Sequence, residues 1–299
     1  MPKKIISALL YYNLSVLLFA VMFAIGKILG SHMNSYEIMF FRCVIALTMI
    51  YIIIYQKDMG RFRQRMIPKR PALLLLRCFF GSMAMILTFY AYILLPMATA
   101  STIIFTGTLW VIPLSILFLR QKISTPRIIA TVIGFIGVFM MLTPQNGMFY
   151  GYLIAVLCAF FQGVVTILLH KLGKTDHPIL IVFYFMLVGT IISFIGVSVT
   201  SGFTASFQDI PLLIAIGLLG VVGQYALSSA YRDAEPTFLS PFQYTSLLWS
   251  SLIGYVIWKD VLGIEGWIGA ITIIISAIYV TFSERRQIKL AQMKEKVFT

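Results

Sequence analysis

Charge is what this chain has least of. Only 11% of its 299 residues are charged and 60% are hydrophobic, against about 25% charged in a typical soluble domain. That balance excludes an ordinary soluble fold. Acidic residues are scarcest, ten against 23 lysines and arginines. None of the ten lies in the middle of an apolar run, so the buried titratable carboxylate that proton-coupled carriers use is missing. That favours facilitated diffusion or exchange. The three cysteines, Cys43, Cys78 and Cys158, lie inside apolar runs at no metal-ligand spacing, which indicates neither a disulfide framework nor a zinc site. No nucleotide-binding loop is present, which excludes ATP-driven transport by this chain alone. The three histidines, His32, His170 and His177, lie near loops, and no acid pair or Ser-His-Asp set converges, which argues against an enzyme. No metal or cofactor is called for.

What is present is a series of long apolar runs. A membrane helix needs roughly 20 apolar residues, and the sequence predicts ten spans near 6–28, 36–56, 72–95, 97–119, 126–143, 149–170, 179–201, 209–231, 236–258 and 263–282. The first follows a basic start and is too long for a signal peptide, so it is expected to be an uncleaved span. The net charge of +13 does not point to nucleic acid, because the basic residues cluster in short loops. With the N-terminus inside, 19 of the 23 fall on the cytoplasmic side. Lys27 and Lys259 fall outside, and Arg42 and Arg77 lie within spans. The expected protein is an all-α polytopic protein of the inner (cytoplasmic) membrane, with both termini cytoplasmic. Its partners are the lipid bilayer and a small-molecule substrate, and it is a monomer or weak homodimer.

Shifted by 139 residues, the chain partly matches itself. Gly81 falls on Gly220, Ala91-Tyr92 on Ala230-Tyr231, Ser101 on Ser240, Thr106 on Thr245, Leu109-Trp110 on Leu248-Trp249, and Ile129 and Ile136 on Ile268 and Ile275. A five-span unit therefore occurs twice, as residues 1–148 and 149–299, with a short basic tail at 283–299. Five is odd, so the second copy enters from the opposite face. Such inverted-topology repeats build many secondary transporters, with a substrate site near the midplane between the halves.

The stretches "EIMFFRCVIA" (37–46), "LLLLRCFFGSMAMILTFYAYILLPMATAST" (73–102), "AYRDAEPTFLSPFQYTSLLWSSLIGYVIWKDVLG" (230–263) and "GWIGAITIIISAIYVTFSERR" (266–286) resemble the drug/metabolite transporter superfamily in its ten-span EamA branch. Within that branch the pattern is similar to bacterial transporters for S-adenosylmethionine and riboflavin. The resemblance implies uptake of an amino-acid-like or aromatic metabolite by alternating access. An amino-acid or drug exporter and a lipid-linked flippase are the alternatives. The family's usual Gly-Glu pair after the fourth span is replaced by Arg120-Gln121, while the repeat-related position keeps an acid, Asp260. A proline common in the middle of the fourth span is also absent near Thr108.

Polar residues inside spans are the candidates for binding, since each must be satisfied without water. Arg42 either faces the cavity between halves and binds an anionic group such as a carboxylate through its planar fork, or snorkels to the outer headgroups or ties off backbone carbonyls at a broken helix. Glu37, five residues earlier, is on the wrong face to pair with it. Arg77 shares a small, polar helical face with Gly81, Ala84, Thr88 and Tyr92. It is either an inner anion contact or an anchor at the cytoplasmic interface. The ninth span offers Pro241, Gln243, Tyr244 and Trp249, suited to a planar organic ligand. The fourth span offers the repeat-related Thr102, Thr106 and Trp110, with Pro113 as a second hinge candidate beside Pro241. Gln162, Thr166 and His170 form a stripe on the sixth span, and Gln162 joins the cavity candidates. Gly217, Gly220 and Gly223 suit close packing rather than a phosphate cradle.

Overall fold

The computed structural model describes residues 3–57, 67–107, 109–111, 113–114, 125–141, 148–200, 202–234, 239, 244–261, 263–264, 267–272, 274–276 and 279. Every regular element among them is helical. The elements are α1 (Lys3–Leu29), α2 (Ser35–Lys57), α3 (Pro71–Leu94), α4 (Met97–Phe105), α5 (Thr125–Met141), α6 (Phe149–Gly173), α7 (Pro178–Val199), a 3₁₀ turn (Phe207–Asp209), α8 (Ile210–Asp233) and α9 (Tyr244–Trp258). A further apolar helix, α10, covers Trp267–Ser276. Among the described residues, six segments are long and apolar enough to cross a bilayer, on α1, α2, α3, α6, α7 and α8, and four apolar helices are shorter. The protein is a multi-pass helical membrane protein.

Local chemistry sets the helix ends. Prolines begin α3 and α7 at Pro71 and Pro178, where a missing N–H costs nothing. His177 caps α7, its Nδ1 accepting from the Ile179 N–H at 3.3 Å. Pro96 holds the preceding Leu95 in an extended conformation, which ends α3 and starts α4 after two residues. Of the expected fourth span, 97–119, residues 97–107, 109–111 and 113–114 are described. A turn interrupts it at Thr106, seven residues before Pro113. There the Thr106 hydroxyl donates to the Ile103 carbonyl at 2.6 Å. The Leu109 N–H closes onto Thr106 at 2.8 Å in the tighter three-residue spacing.

The bundle is apolar on its outer face, and the polar side chains of its spans are drawn into an otherwise apolar interior. Leu10, Leu75, Phe79, Leu153, Ile191, Phe194 and Leu252 are exposed, while Arg42, Arg77, Ser82, Thr88 and Gln224 are buried. Helices approach at small residues, the packing mode that replaces the hydrophobic drive inside a membrane. The pairing has a pattern. Helix α1 packs on α8 and α6 on α3; α2 packs on α7 and α8, and α7 on α3; α4 packs on α6 and α9, and α9 on α1. Exchanging α1–α5 with α6–α10 in order maps each of these pairs onto another of them or onto itself.

Candidate functional site

Arg42 lies seven residues into α2, about 10 Å along its axis. Arg77 lies six residues into α3, about 9 Å from the other end of the bundle. Their side chains converge on Phe185 of α7, whose ring centroid lies 5.6 Å from the Arg42 guanidinium carbon and 4.1 Å from that of Arg77. Arg42 is 0% exposed and Arg77 1%. Both guanidiniums are thus enclosed by the bundle rather than turned out from it.

Glycine makes this convergence possible. A Cβ on Gly220 of α8 would meet Arg42 Nε at 2.7 Å, and one on Gly81 of α3 would meet Arg77 Nη1 at 2.8 Å. These two glycines coincide under the 139-residue shift, so repeat-related positions each cradle an arginine, although the arginines are not repeat-related. Gly217 and Gly223 accept Ile45 and Phe19, the close packing expected of that glycine series.

The partners of the two guanidiniums are weak acceptors. Arg42 Nε donates to Met22 Sδ at 3.3 Å, and its Nη1 to Met39 Sδ at 3.5 Å and Met186 Sδ at 4.0 Å. Arg77 Nη2 donates to Gln224 Oε1 at 3.3 Å. Arg42 Nη2 and Arg77 Nε and Nη1 have no hydrogen-bond partner. The five described carboxylates are engaged elsewhere. Glu37, fully buried, accepts from the Thr204 and Ala205 N–H groups at 2.7 and 2.8 Å and from the Thr204 hydroxyl at 2.7 Å. Asp209 holds His32 Nε2 at 3.0 Å and caps the 3₁₀ turn through Ser206. Asp260 holds Lys27 Nζ at 3.4 Å and accepts from the Met97 N–H at 3.1 Å. Asp176 accepts from the Lys69 N–H at 2.9 Å, and Asp233 from Arg232. The centre therefore carries two like charges with no counter-charge among the described residues. Two unit charges no more than about 10 Å apart at an effective dielectric constant near 20 repel by at least roughly 1.5 kcal/mol. The unpartnered nitrogens leave donor capacity of the kind that a carboxylate or another planar oxyanion can accept.

The other candidates do not join this centre. The face with Gly81, Ala84, Thr88 and Tyr92 is buried, as its composition implies. The Thr88 hydroxyl, however, donates to its own helix at Ala84 and contacts Cys158 Sγ at 2.9 Å. Tyr92 stacks on Phe23 at 4.9 Å. Thr102 and Thr106 also bond back to their own helix, at Ala98 and Ile103. Trp110 packs edge-on against Phe135 and Phe160, with its indole N–H unpartnered. Gln162 is half-buried beside Gly107. Trp249 is 37% exposed on α9. Tyr244 starts α9, its side chain lies outside the described residues, and so do Gln243 and the hinge candidate Pro241. Pro113 lies in a helical segment beyond the Thr106 break. Residues that the sequence did not single out complete the centre: Phe185, Met22, Met39, Met186 and Gln224. A single phenylalanine or methionine in an apolar run carries no local signal, and only packing identifies it.

The model of the EamA-like transporter family matches this chain twice, over residues 6–143 and 149–282. The pseudopaline exporter CntI of Pseudomonas aeruginosa (strain UCBPP-PA14) is 26% identical over 274 residues, 91% of this chain and 95% of that protein. The S-adenosylmethionine uptake transporter of Rickettsia conorii (strain ATCC VR-613 / Malish 7) is 26% identical over 287 residues, 95% of each chain. A solved crystal structure superposes with a TM-score of 0.65 over 94% of this chain and 98% of that one, at 16% identity, a likeness of fold.

Proposed function

This chain belongs to the EamA-like transporter family, and we propose that it is a secondary carrier that moves a small organic metabolite across the inner membrane by alternating access. Its cargo on this proposal is amino-acid-like or aromatic and bears a carboxylate. The observation that carries the proposal is the pair of fully buried arginines, Arg42 and Arg77, which meet at Phe185 with unpartnered N–H groups and no described carboxylate. A scaffold protein would have no use for such charge, since unpaired ions inside a membrane are expensive and are kept where they act on a ligand or an ion.

We further infer two five-helix halves, 1–148 and 149–299, in inverted orientation. The twofold match of the family model and the exchange pattern of helix pairs support this. The arginine centre then lies between the halves, with α2 and α3 from one and α7 and α8 from the other. The described conformation is closed over both arginines, which suits an occluded state between outward- and inward-open forms. The named relatives include an exporter and an uptake transporter, so the proposal concerns cargo chemistry and applies in either direction.

The test is counterflow in proteoliposomes with a panel of amino acids, aromatic carboxylates, riboflavin and S-adenosylmethionine. Accumulation of a labelled carboxylate-bearing solute driven by its unlabelled counterpart is expected. Lipid scrambling without counterflow of any solute would replace the carrier with a flippase.

A further inference from the structure

We propose that Arg42 and Arg77 form a single binding site for an organic dianion, one carboxylate to each guanidinium, and that the carrier reorients only with an anion bound, as an obligatory exchanger. This rests on the carrier reading of the same centre and goes beyond it in the charge of the cargo and the mode of transport. One carboxylate would neutralise one arginine and leave the other bare. Both guanidiniums lie against the same Phe185 ring, so they are within the sum of those two distances of each other, close enough for one small molecule to span. Their three unpartnered N–H-bearing nitrogens are divided between them: Nη2 on Arg42, Nε and Nη1 on Arg77. Each arginine therefore has its own vacant donor capacity.

The surroundings suit a ligand that comes and goes. The ring of Phe185 offers a cation–π face, a weak stand-in for an anion that a carboxylate displaces. Met22, Met39 and Met186 close over Arg42 through thioether contacts of 3.3 to 4.0 Å. Their unbranched side chains repack at little cost, so the wall can open without the backbone at Gly220 or Gly81 yielding. Among the described residues, no lysine or arginine other than these two is buried, and no carboxylate reaches them. A cargo of net positive charge, such as S-adenosylmethionine with its sulfonium and ammonium, would add a third cation here. An empty site must carry two bare charges through the low-dielectric middle of the bundle during reorientation, while a site holding a dianion is neutral. The loaded carrier thus crosses far more readily than the empty one, and transport becomes exchange.

The experiment uses one ring and four charges: terephthalate (dianion), benzoate (monoanion), benzamide (neutral) and benzylamine (cation). Thermal unfolding of the purified full-length protein is followed with each ligand, and proteoliposomes loaded with terephthalate or left empty are then assayed for uptake of labelled terephthalate. Terephthalate is expected to bind at least about tenfold more tightly than benzoate, the value of one further charge-assisted pair, while benzamide and benzylamine give no shift. Loaded vesicles are expected to take up label at least about tenfold faster than empty ones. Arg42→Gln and Arg77→Gln should each bring terephthalate down to the affinity of benzoate, and Arg42→Lys and Arg77→Lys should retain part of the preference. The charge series on the unaltered protein stands even if a variant fails to fold. Equal binding of benzamide and terephthalate, or equal uptake into empty and loaded vesicles, would overturn the dianion site while counterflow of a neutral or zwitterionic solute left the carrier intact. Lipid scrambling without movement of any solute would overturn both.

Discussion

At one rim of the bundle Lys27, His32, Glu37, Asp209 and Asp260 all have partners. Lys27 reaches Asp260 and the Leu95 carbonyl, His32 reaches Asp209, and Glu37 is ringed by three donors from Thr204 and Ala205. At the centre, Arg42 and Arg77 face thioethers, one amide and a phenyl ring. The rim charges join loops to helices: Lys27 and Asp260 tie α1 to the α3–α4 turn and to the loop after α9, and Glu37 pins the loop between α7 and α8. They are paired because their work is structural. The central charges join nothing that needs a cation, and three of their nitrogens have no acceptor. On the carrier proposal, the pairing state separates groups that hold the fold from groups kept for a ligand.

The comparison can be strained at the rim first. Glu37→Ala would leave two buried N–H groups and a hydroxyl without their acceptor, and should cost about 3 kcal/mol. Thermal unfolding in detergent should fall accordingly, with faster proteolysis at 202–206. Close packing at the centre gives the next effect. Gly220→Ala places a methyl 2.7 Å from Arg42 Nε, and displacing that side chain should cost about 1–3 kcal/mol and weaken solute affinity in the same protein. Lys27→Met should cost about 1–2 kcal/mol, because the pair it breaks is mostly buried while Asp260 keeps the Met97 N–H as a donor. Smallest is Lys259→Gly. Lys259 ends α9 with φ of 58°, and relieving that left-handed strain should raise stability by about 1 kcal/mol, read as an upward shift in melting temperature.

Much of the fold was legible in the sequence because a bilayer imposes length and polarity so strictly. Six of the apolar runs appear as helices long enough to cross it, and both intramembrane arginines stand out from any apolar background. The buried face of Arg77, Gly81, Ala84, Thr88 and Tyr92 followed from helical spacing alone. The meeting of Arg42 with Arg77 was not legible. They start from opposite ends of the bundle and converge only through Phe185, more than a hundred residues away, which looks like any other phenylalanine. The partners of Glu37 lie 167 and 168 residues along the chain, beyond the reach of local pattern. The hydroxyls of Thr88, Thr102 and Thr106 bond back to their own helices, a partner choice that an inward-facing position does not announce. A threonine on an inward face looks like a ligand contact, yet in a helix its hydroxyl is satisfied most cheaply by the carbonyl three or four residues back.

The central claim is that the arginine centre serves transport and not stability. Arg42→Met separates the two, since replacing a buried, poorly paired charge with an apolar side chain of similar length is often neutral or stabilising, by about 1–4 kcal/mol. The direct measurement is solute counterflow alongside thermal unfolding for this variant and the unaltered protein, reconstituted in equal amounts. Loss of counterflow with an unchanged or higher melting temperature is the predicted result. Counterflow at the unaltered rate in a folded Arg42→Met protein would contradict it.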